Sequence, residues 1–132
     1  MESNRYGRLM AMAKEAKKRA YSPYSGFSVG AALLCDSGKI YWGCNVENAS
    51  YTPTCCAERV AIFSAIAEGE RKFCAIAIAA DSAPCMPCGV CRQVMSEFCD
   101  PDFEIIFEEK TGAVGALTLK ELLPYGFELK KQ

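Results

Sequence analysis

Apolar positions recur at three- and four-residue spacing through residues 5–20. There Tyr6, Leu9, Met10, Ala13, Ala16 and Ala20 form the stripe of an amphipathic helix. Tyr21-Ser22-Pro23-Tyr24-Ser25-Gly26 ends that pattern, because proline and glycine punctuate. Two strands are predicted next, over 27–34 and 39–44, joined by Asp36-Ser37-Gly38 as a hairpin turn. Residues 45–54 are polar and irregular, with Thr54 the expected N-cap of a second helix over about 56–68. That helix is apolar nearly all round (Val60, Ala61, Ile62, Phe63, Ala65, Ile66, Ala67), which predicts burial on more than one side. One side would cover a sheet, leaving the other for a second subunit.

Residues 74–80 are a continuous apolar run flanked by breakers, the pattern of a central strand covered on both faces. Pro87 stands near the first turn of a third helix over about 89–98, where its missing N–H costs little. A strand over 103–107, a turn at Lys110-Thr111-Gly112, a strand over 113–117 and a short helix over 119–123 complete the pattern. The order α-β-β-α-β-α-β-β-α has no repeat or linker. It predicts one α/β domain over residues 1–132, a three-layer α/β/α sandwich with a five-stranded mixed sheet.

Composition narrows the function. With 51% apolar and 23% charged residues the chain is globular rather than disordered. Fifteen basic against 16 acidic residues argue against a nucleic-acid partner. The one basic concentration, Arg5, Arg8, Lys14, Lys17, Lys18 and Arg19 against Glu2 and Glu15, reads as a solvated helix face. The longest apolar run falls far short of the ~18 residues of a membrane span, and no secretory segment opens the chain, so a cytoplasmic location without membrane contact is expected. Nine cysteines in such a setting favour reduced thiols or metal ligands over disulfides.

Two short stretches carry the candidate chemistry. Cys56-Ala57-Glu58-Arg59 puts a thiol and a carboxylate two residues apart at a helix start. Pro87-Cys88-Gly89-Val90-Cys91-Arg92-Gln93 puts two thiols three apart at another. Three thiolate ligands and one carboxylate that is not a ligand are the parts of a catalytic zinc site with an open fourth position, a pattern known in zinc-dependent base deaminases. Helix N-termini lower thiol pKa values and ease deprotonation. Glu58 can act on water at such a site without binding the metal, a role that typically contributes ~10²–10⁴ in rate. Three thiolates weaken zinc as a Lewis acid, and Arg59 is the cation that would offset this.

Blander readings compete. Alone, C-x-x-C is also a redox pair or half of a structural zinc site. Cys85-x-x-Cys88-x-x-Cys91 resembles part of an iron–sulfur run, without the fourth cysteine before a proline. Cys35, Cys44, Cys55, Cys74, Cys85 and Cys99 read as buried apolar fillers, with Cys55 and Cys85 also spare ligands beside the main set.

Over almost its whole length the chain resembles the small, homotetrameric, three-cysteine cytidine deaminases of the cytidine/deoxycytidylate deaminase superfamily. The matching motifs are Pro23-Tyr24-Ser25 with Phe27, Gly43-Cys44-Asn45-Val46-Glu47-Asn48-Ala49, the two cysteine stretches above, and Glu121-Leu122-Leu123-Pro124 followed by Phe127. The resemblance implies one Zn²⁺ per subunit on Cys56, Cys88 and Cys91, with Glu58 as proton shuttle and Arg59 in support. It implies that Asn45 and Glu47 bond the ribose hydroxyls, that Phe27 packs on the nucleoside, and that the Ala57 backbone holds the pyrimidine edge. Phe127 would reach over the base from a neighbouring subunit, so that a homotetramer shares its sites.

The implied reaction is hydrolytic deamination of cytidine and 2'-deoxycytidine to uridine and 2'-deoxyuridine with release of ammonia, a step of pyrimidine salvage. A carboxylate at Glu47 repels phosphate, which favours a nucleoside over a nucleotide. On spacing alone, Asn45 and Glu47 are equally turn residues after a strand. The rival readings are a deaminase of another aminopyrimidine nucleoside, such as an antibiotic, or a zinc or iron–sulfur binding module without turnover.

Overall fold

The computed structural model describes residues 2–131; the side chain of Glu2, counted in the charge balance above, lies outside the described residues. The elements are α1 (Glu2–Lys17), β1 (Val29–Cys35), β2 (Ile40–Cys44), α2 (Ala57–Ala67), β3 (Phe73–Ala80), α3 (Gly89–Phe98), β4 (Glu104–Glu108), β5 (Val114–Thr118) and α4 (Leu119–Leu122). Among the described residues the strands form one five-stranded sheet in the order β2-β1-β3-β4-β5. β3 and β4 run parallel and the other neighbours antiparallel, so the sheet is mixed as expected.

Alternation along the strands splits the interior into two layers. Leu33, Ile76, Ile78 and Ile105 face α2 and α3, where Ala61, Ile62, Ala65 and Met95 cover them. Ala32, Ala75, Ala77, Ala79 and Ile106 face Leu9, Met10 and Ala13 of α1. The residues facing α1 are mostly alanine, and this lets that helix lie close. A Cβ on Gly30 would meet backbone atoms of Ala13 and Lys17, with Lys17 Cα at 2.8 Å. Ion pairs from Arg5 to Glu104 (3.5 Å) and Lys14 to Glu108 (2.6 Å) tie α1 to β4, and Tyr6 adds a hydrogen bond to Glu104.

Boundaries differ from the expected ones by two residues or more in three elements, the first being β1, which opens at Val29 rather than Phe27. α1 ends at Lys17 rather than Ala20. Tyr21 forms a bridge with Val46, and Lys18, Arg19 and Ala20 donate to carbonyls three residues back, which turns the chain toward that bridge. The N-cap of α2 is Cys56, not Thr54. The Thr54 hydroxyl instead accepts from the Asn48 backbone N–H at 3.0 Å and holds the preceding loop. Within the chain α2 buries one side, through Ala57, Glu58, Ala61, Ile62 and Ala65, and leaves Phe63 45% exposed on another. The cysteines expected as buried fillers also differ: Cys35 is buried, but Cys44, Cys55, Cys74, Cys85 and Cys99 are half-buried.

The topology gathers one end of the sheet. Val29 pairs with Ala80 and Gly30 with Cys44, so β1 starts where β2 and β3 finish. The segments leaving β2 and β3 lead into α2 and α3, and the N-termini of those helices therefore meet at that end. At Gly30, alanine would gain up to about 1 kcal/mol from strand conformational entropy. Forcing α1 off the sheet costs about 1–3 kcal/mol, and the obstacle is backbone that cannot rotate away. Gly30→Ala is therefore expected to lower the urea midpoint of unfolding, and an unchanged midpoint would contradict the close packing of α1.

Candidate active site

The polypeptide reaches the site through a short antiparallel bridge. Val46 and Cys55 exchange backbone hydrogen bonds of 2.9 Å each, closing the polar loop between them and setting Cys56 at the head of α2. A Cβ on Gly43 of β2 would meet the Ala57 carbonyl, with the Ala61 nitrogen at 2.6 Å, so the first turn of α2 is seated on the strand. Cys88 caps α3, its sulfur accepting from the Cys91 N–H at 3.5 Å.

Among the described residues the thiols of Cys56, Cys88 and Cys91 form a cluster with all Sγ atoms within 4.8 Å of one another. Cys56 and Cys88 are 3.9 Å apart, and Cys88 and Cys91 are 3.5 Å apart. Tetrahedral zinc with Zn–S bonds of about 2.3 Å separates its sulfurs by about 3.8 Å, so the cluster fits that ion. The chain has no histidine, and the donor set is soft sulfur throughout. Cys55 and Cys85, the expected spare ligands, lie outside the cluster.

A hydrogen bond from Cys91 pushes the Cys56 thiol down to about 5 against burial, and Arg59 assists; the same hydrogen bond, and then burial, push Cys91 up. Arg59 donates from its terminal nitrogen to Cys56 Sγ at 3.4 Å, while its buried Nε has no hydrogen-bond partner among the described residues. Glu58 is the buried charged residue among those described, 4% exposed. Burial raises its carboxyl to about 7, with an opposing bond from its own backbone N–H and a further push from the Cys56 charge. Cys85, nearby, is pushed up to about 11 by burial, and its sulfur lies outside the cluster.

Phe27, Asn45, Glu47, Ala57 and Glu58 line one cleft of about 290 Å³ together with Cys56 and Cys88. Val29 and Met86, which the sequence reading did not single out, line it too, as do Ser25 of the matched motif and Thr54, expected only as an N-cap. Asn45 donates from Nδ2 to the Phe27 carbonyl and accepts at Oδ1 from the Val29 N–H, both at 2.9 Å. Glu47 accepts from the Tyr24 and Ser25 N–H groups at 3.0 and 3.1 Å, and from the Ser25 hydroxyl. Both side chains thus hold the segment leading into β1, 16 to 23 residues away in sequence, rather than a turn of their own after β2. Each keeps capacity, since an amide offers two donors and a carboxylate about four acceptor sites.

Phe127 is not brought to this cleft within the chain. It is 64% exposed and lies beside α3, in a hollow with Phe63, Val90 and Leu129, and its carbonyl accepts from Gln93 Nε2 at 2.9 Å. Arg92 was missed as well. Its Nε donates to the Pro87 carbonyl at 2.7 Å and its terminal nitrogen to the Leu122 carbonyl at 3.0 Å, bracing the C-x-x-C turn against the end of α4. It lies within the quoted cysteine motif, but the bond that ties it to α4 is to a residue thirty positions away in sequence.

Comparison with known proteins agrees with this geometry. The profile of the cytidine and deoxycytidylate deaminase zinc-binding region matches residues 3–107, a span that contains all three clustered thiols and Glu58. A cytidine deaminase of Sporosarcina psychrophila is 47% identical over 121 residues, covering 91% of this chain and 89% of the relative. The crystal structure of cytidine deaminase from Burkholderia pseudomallei superposes with a TM-score of 0.87 at 48% identity, covering 92% of this chain and 98% of that one. The enzyme from Mycobacterium tuberculosis gives 0.82 at 37% identity over 94% and 98%. The two-helix thiol cluster, its buried carboxyl and these similarities place the chain in the cytidine and deoxycytidylate deaminase family of zinc-binding proteins.

Proposed function

We propose that this chain catalyses hydrolytic deamination of cytidine and 2'-deoxycytidine to uridine and 2'-deoxyuridine, releasing ammonia in pyrimidine salvage, with one zinc ion per subunit. The observation that carries the reading is a buried carboxyl, Glu58, beside three converging thiols in a cleft of about 290 Å³. A structural zinc site has no use for such a carboxyl, and burying one without a role is costly. The cleft volume lies at the lower end of the ~300–1,000 Å³ typical of small-molecule pockets, which suits one nucleoside.

Cys56, Cys88 and Cys91 hold the metal. When bound, zinc supplies polarisation that lowers the pKa of water toward ~7. Glu58 takes a proton from the water that adds at C4 and delivers it to N3 of the pyrimidine, then carries the proton of the new C4 hydroxyl to the departing amine, leaving a C4 carbonyl and ammonia. A carboxyl near neutrality can serve in both directions. The Arg59 guanidinium, bonded to Cys56 Sγ, draws charge from that thiolate. The Ala57 backbone holds the pyrimidine edge and Phe27 packs on the nucleoside. Asn45 and Glu47 offer their remaining hydrogen-bonding capacity to the sugar hydroxyls, which favours a nucleoside over an aminopyrimidine without them.

The active form is a cytoplasmic homotetramer, each chain being one domain over residues 1–132. The exposed apolar side of α2 around Phe63, and Phe127 standing away from its own chain's cleft, both support sites completed across an interface. No helix among the described residues is long and apolar enough to cross a membrane.

Glu58→Gln is expected to keep zinc and fold while turnover falls by at least ~10²-fold, read as the ultraviolet change from cytidine to uridine. Substantial residual activity would remove Glu58 from its role. Arg59→Ala should lower kcat roughly 10–100-fold with little change in melting temperature; an unchanged kcat would count against its support of the thiolate. Phe63→Asp puts a charge on the exposed side of α2. It should give a folded monomer by sedimentation and circular dichroism that lacks turnover, whereas a fully active monomer would refute shared sites.

A further inference from the structure

Phe27 is 36% exposed, so packing alone does not hold this wall of the cleft. Its backbone does. Phe27 and Ser28 precede β1 and Val29 opens it, yet all the backbone polar groups of these residues have partners. Phe27 donates its N–H to the Ser25 hydroxyl at 3.1 Å and accepts at its carbonyl from Asn45 Nδ2 at 2.9 Å. Val29 is held on both sides by Asn45, through the side-chain oxygen at 2.9 Å and the backbone N–H at 3.2 Å. Ser28 is held on both sides by Asp81. Its N–H donates to Asp81 Oδ2 at 2.7 Å, and its carbonyl accepts from the Asp81 N–H at 3.2 Å.

Asn45 follows the last residue of β2 and Asp81 the last residue of β3. β1 lies between those two strands. The two side chains therefore extend the ladder past the point where the strands diverge, one from each side. Asp81 is itself fixed from below, since Lys17 at the end of α1 reaches its Oδ1 at 3.2 Å and its neighbour's carbonyl, that of Ala80, at 3.5 Å.

We propose that Asp81, anchored by Lys17, is a positioning residue for the substrate cleft: by gripping Ser28 it sets where Phe27 stands, and so how tightly the nucleoside is held. The proposal rests on the reading of Phe27 as a substrate contact. Asp81 does not line the cleft and takes no part in the proton transfers. Losing it weakens ground-state and transition-state binding alike, which is a KM effect rather than a kcat effect.

The test is steady-state deamination of cytidine by the zinc-loaded full chain. Asp81→Ala is expected to raise KM roughly 3- to 10-fold with kcat within about twofold and zinc content unchanged. Asp81→Asn keeps an acceptor for the Ser28 N–H but loses the ion pair with Lys17, so its KM should fall between that of the parent and that of Asp81→Ala. In a Phe27→Ala background, itself raised in KM, Asp81→Ala should add nothing, because the two act through one contact. Additive effects, or a raised KM in Phe27→Ala with none in Asp81→Ala, overturn the proposal while leaving the cleft assignment standing. An unchanged KM in Phe27→Ala overturns the cleft assignment and the proposal with it. If Asp81→Ala does not fold, Lys17→Met carries the test: it leaves Asp81 in place but unanchored and should raise KM in the same direction, and a parental KM overturns the proposal.

Discussion

Helix α2 lies so close to β2 that a side chain on Gly43 would run into the backbone of Ala57 and Ala61. That contact sets the height of the first turn of α2 above the sheet, and with it Cys56, Ala57 and Glu58. The second half of the thiol cluster arrives separately, at the start of α3, after the chain has left β3. Two independent helix starts therefore meet to within the few ångströms a single cation needs. Neither helix could drift on its own without breaking the set. The Val46–Cys55 bridge and the bonds from Arg92 to Pro87 and Leu122 are the fixtures that prevent it.

The electrostatics follow from that meeting. Three thiols brought together cannot all keep their ordinary proton affinities, and a hydrogen bond from Cys91 with help from Arg59 resolves the conflict by lowering Cys56 while Cys91 holds its proton. Glu58, buried beside them, is displaced in the opposite sense to a surface carboxylate. The same low-dielectric setting that makes this carboxyl costly for stability brings its proton affinity near neutral pH, where proton transfer in both directions is useful. The opposite end of the sheet's chemistry is plainer. Alanines under α1 serve close packing, and the ion pairs of Arg5 and Lys14 with β4 are partly exposed fixtures of modest worth.

Much of the fold was legible in advance because its signals are local. The apolar run of β3, the turn at Gly38 with its φ of 91°, and the third helix over Gly89–Phe98 each follow from a few neighbouring residues. The thiol motifs were legible for the same reason, since their short spacings are set by helix starts. The end of α1 and the cap of α2 were not, because the bridges of Tyr21 and Cys55 with Val46 outrank local preference there. Nor did cysteine count alone reveal that five of the supposed fillers are half-buried. Thiols are small enough to sit at partly open positions without penalty.

By itself, the sequence determined the order of elements, the α/β class and the residue types that could bind a soft cation, all properties of short windows. Tertiary structure decided which of nine thiols converge, why Cys55 and Cys85 stand aside, and that Asn45 and Glu47 serve the backbone of residues 24–29. It also decided that Phe127 lies in a hollow apart from its own chain's cleft and that Asp81 and Arg92 bond to residues far along the chain. The physical reason is one of range. A periodic pattern states which face of an element is buried, but a hydrogen bond between residues 28 and 81, or 92 and 122, exists only once strand order and register have brought them together.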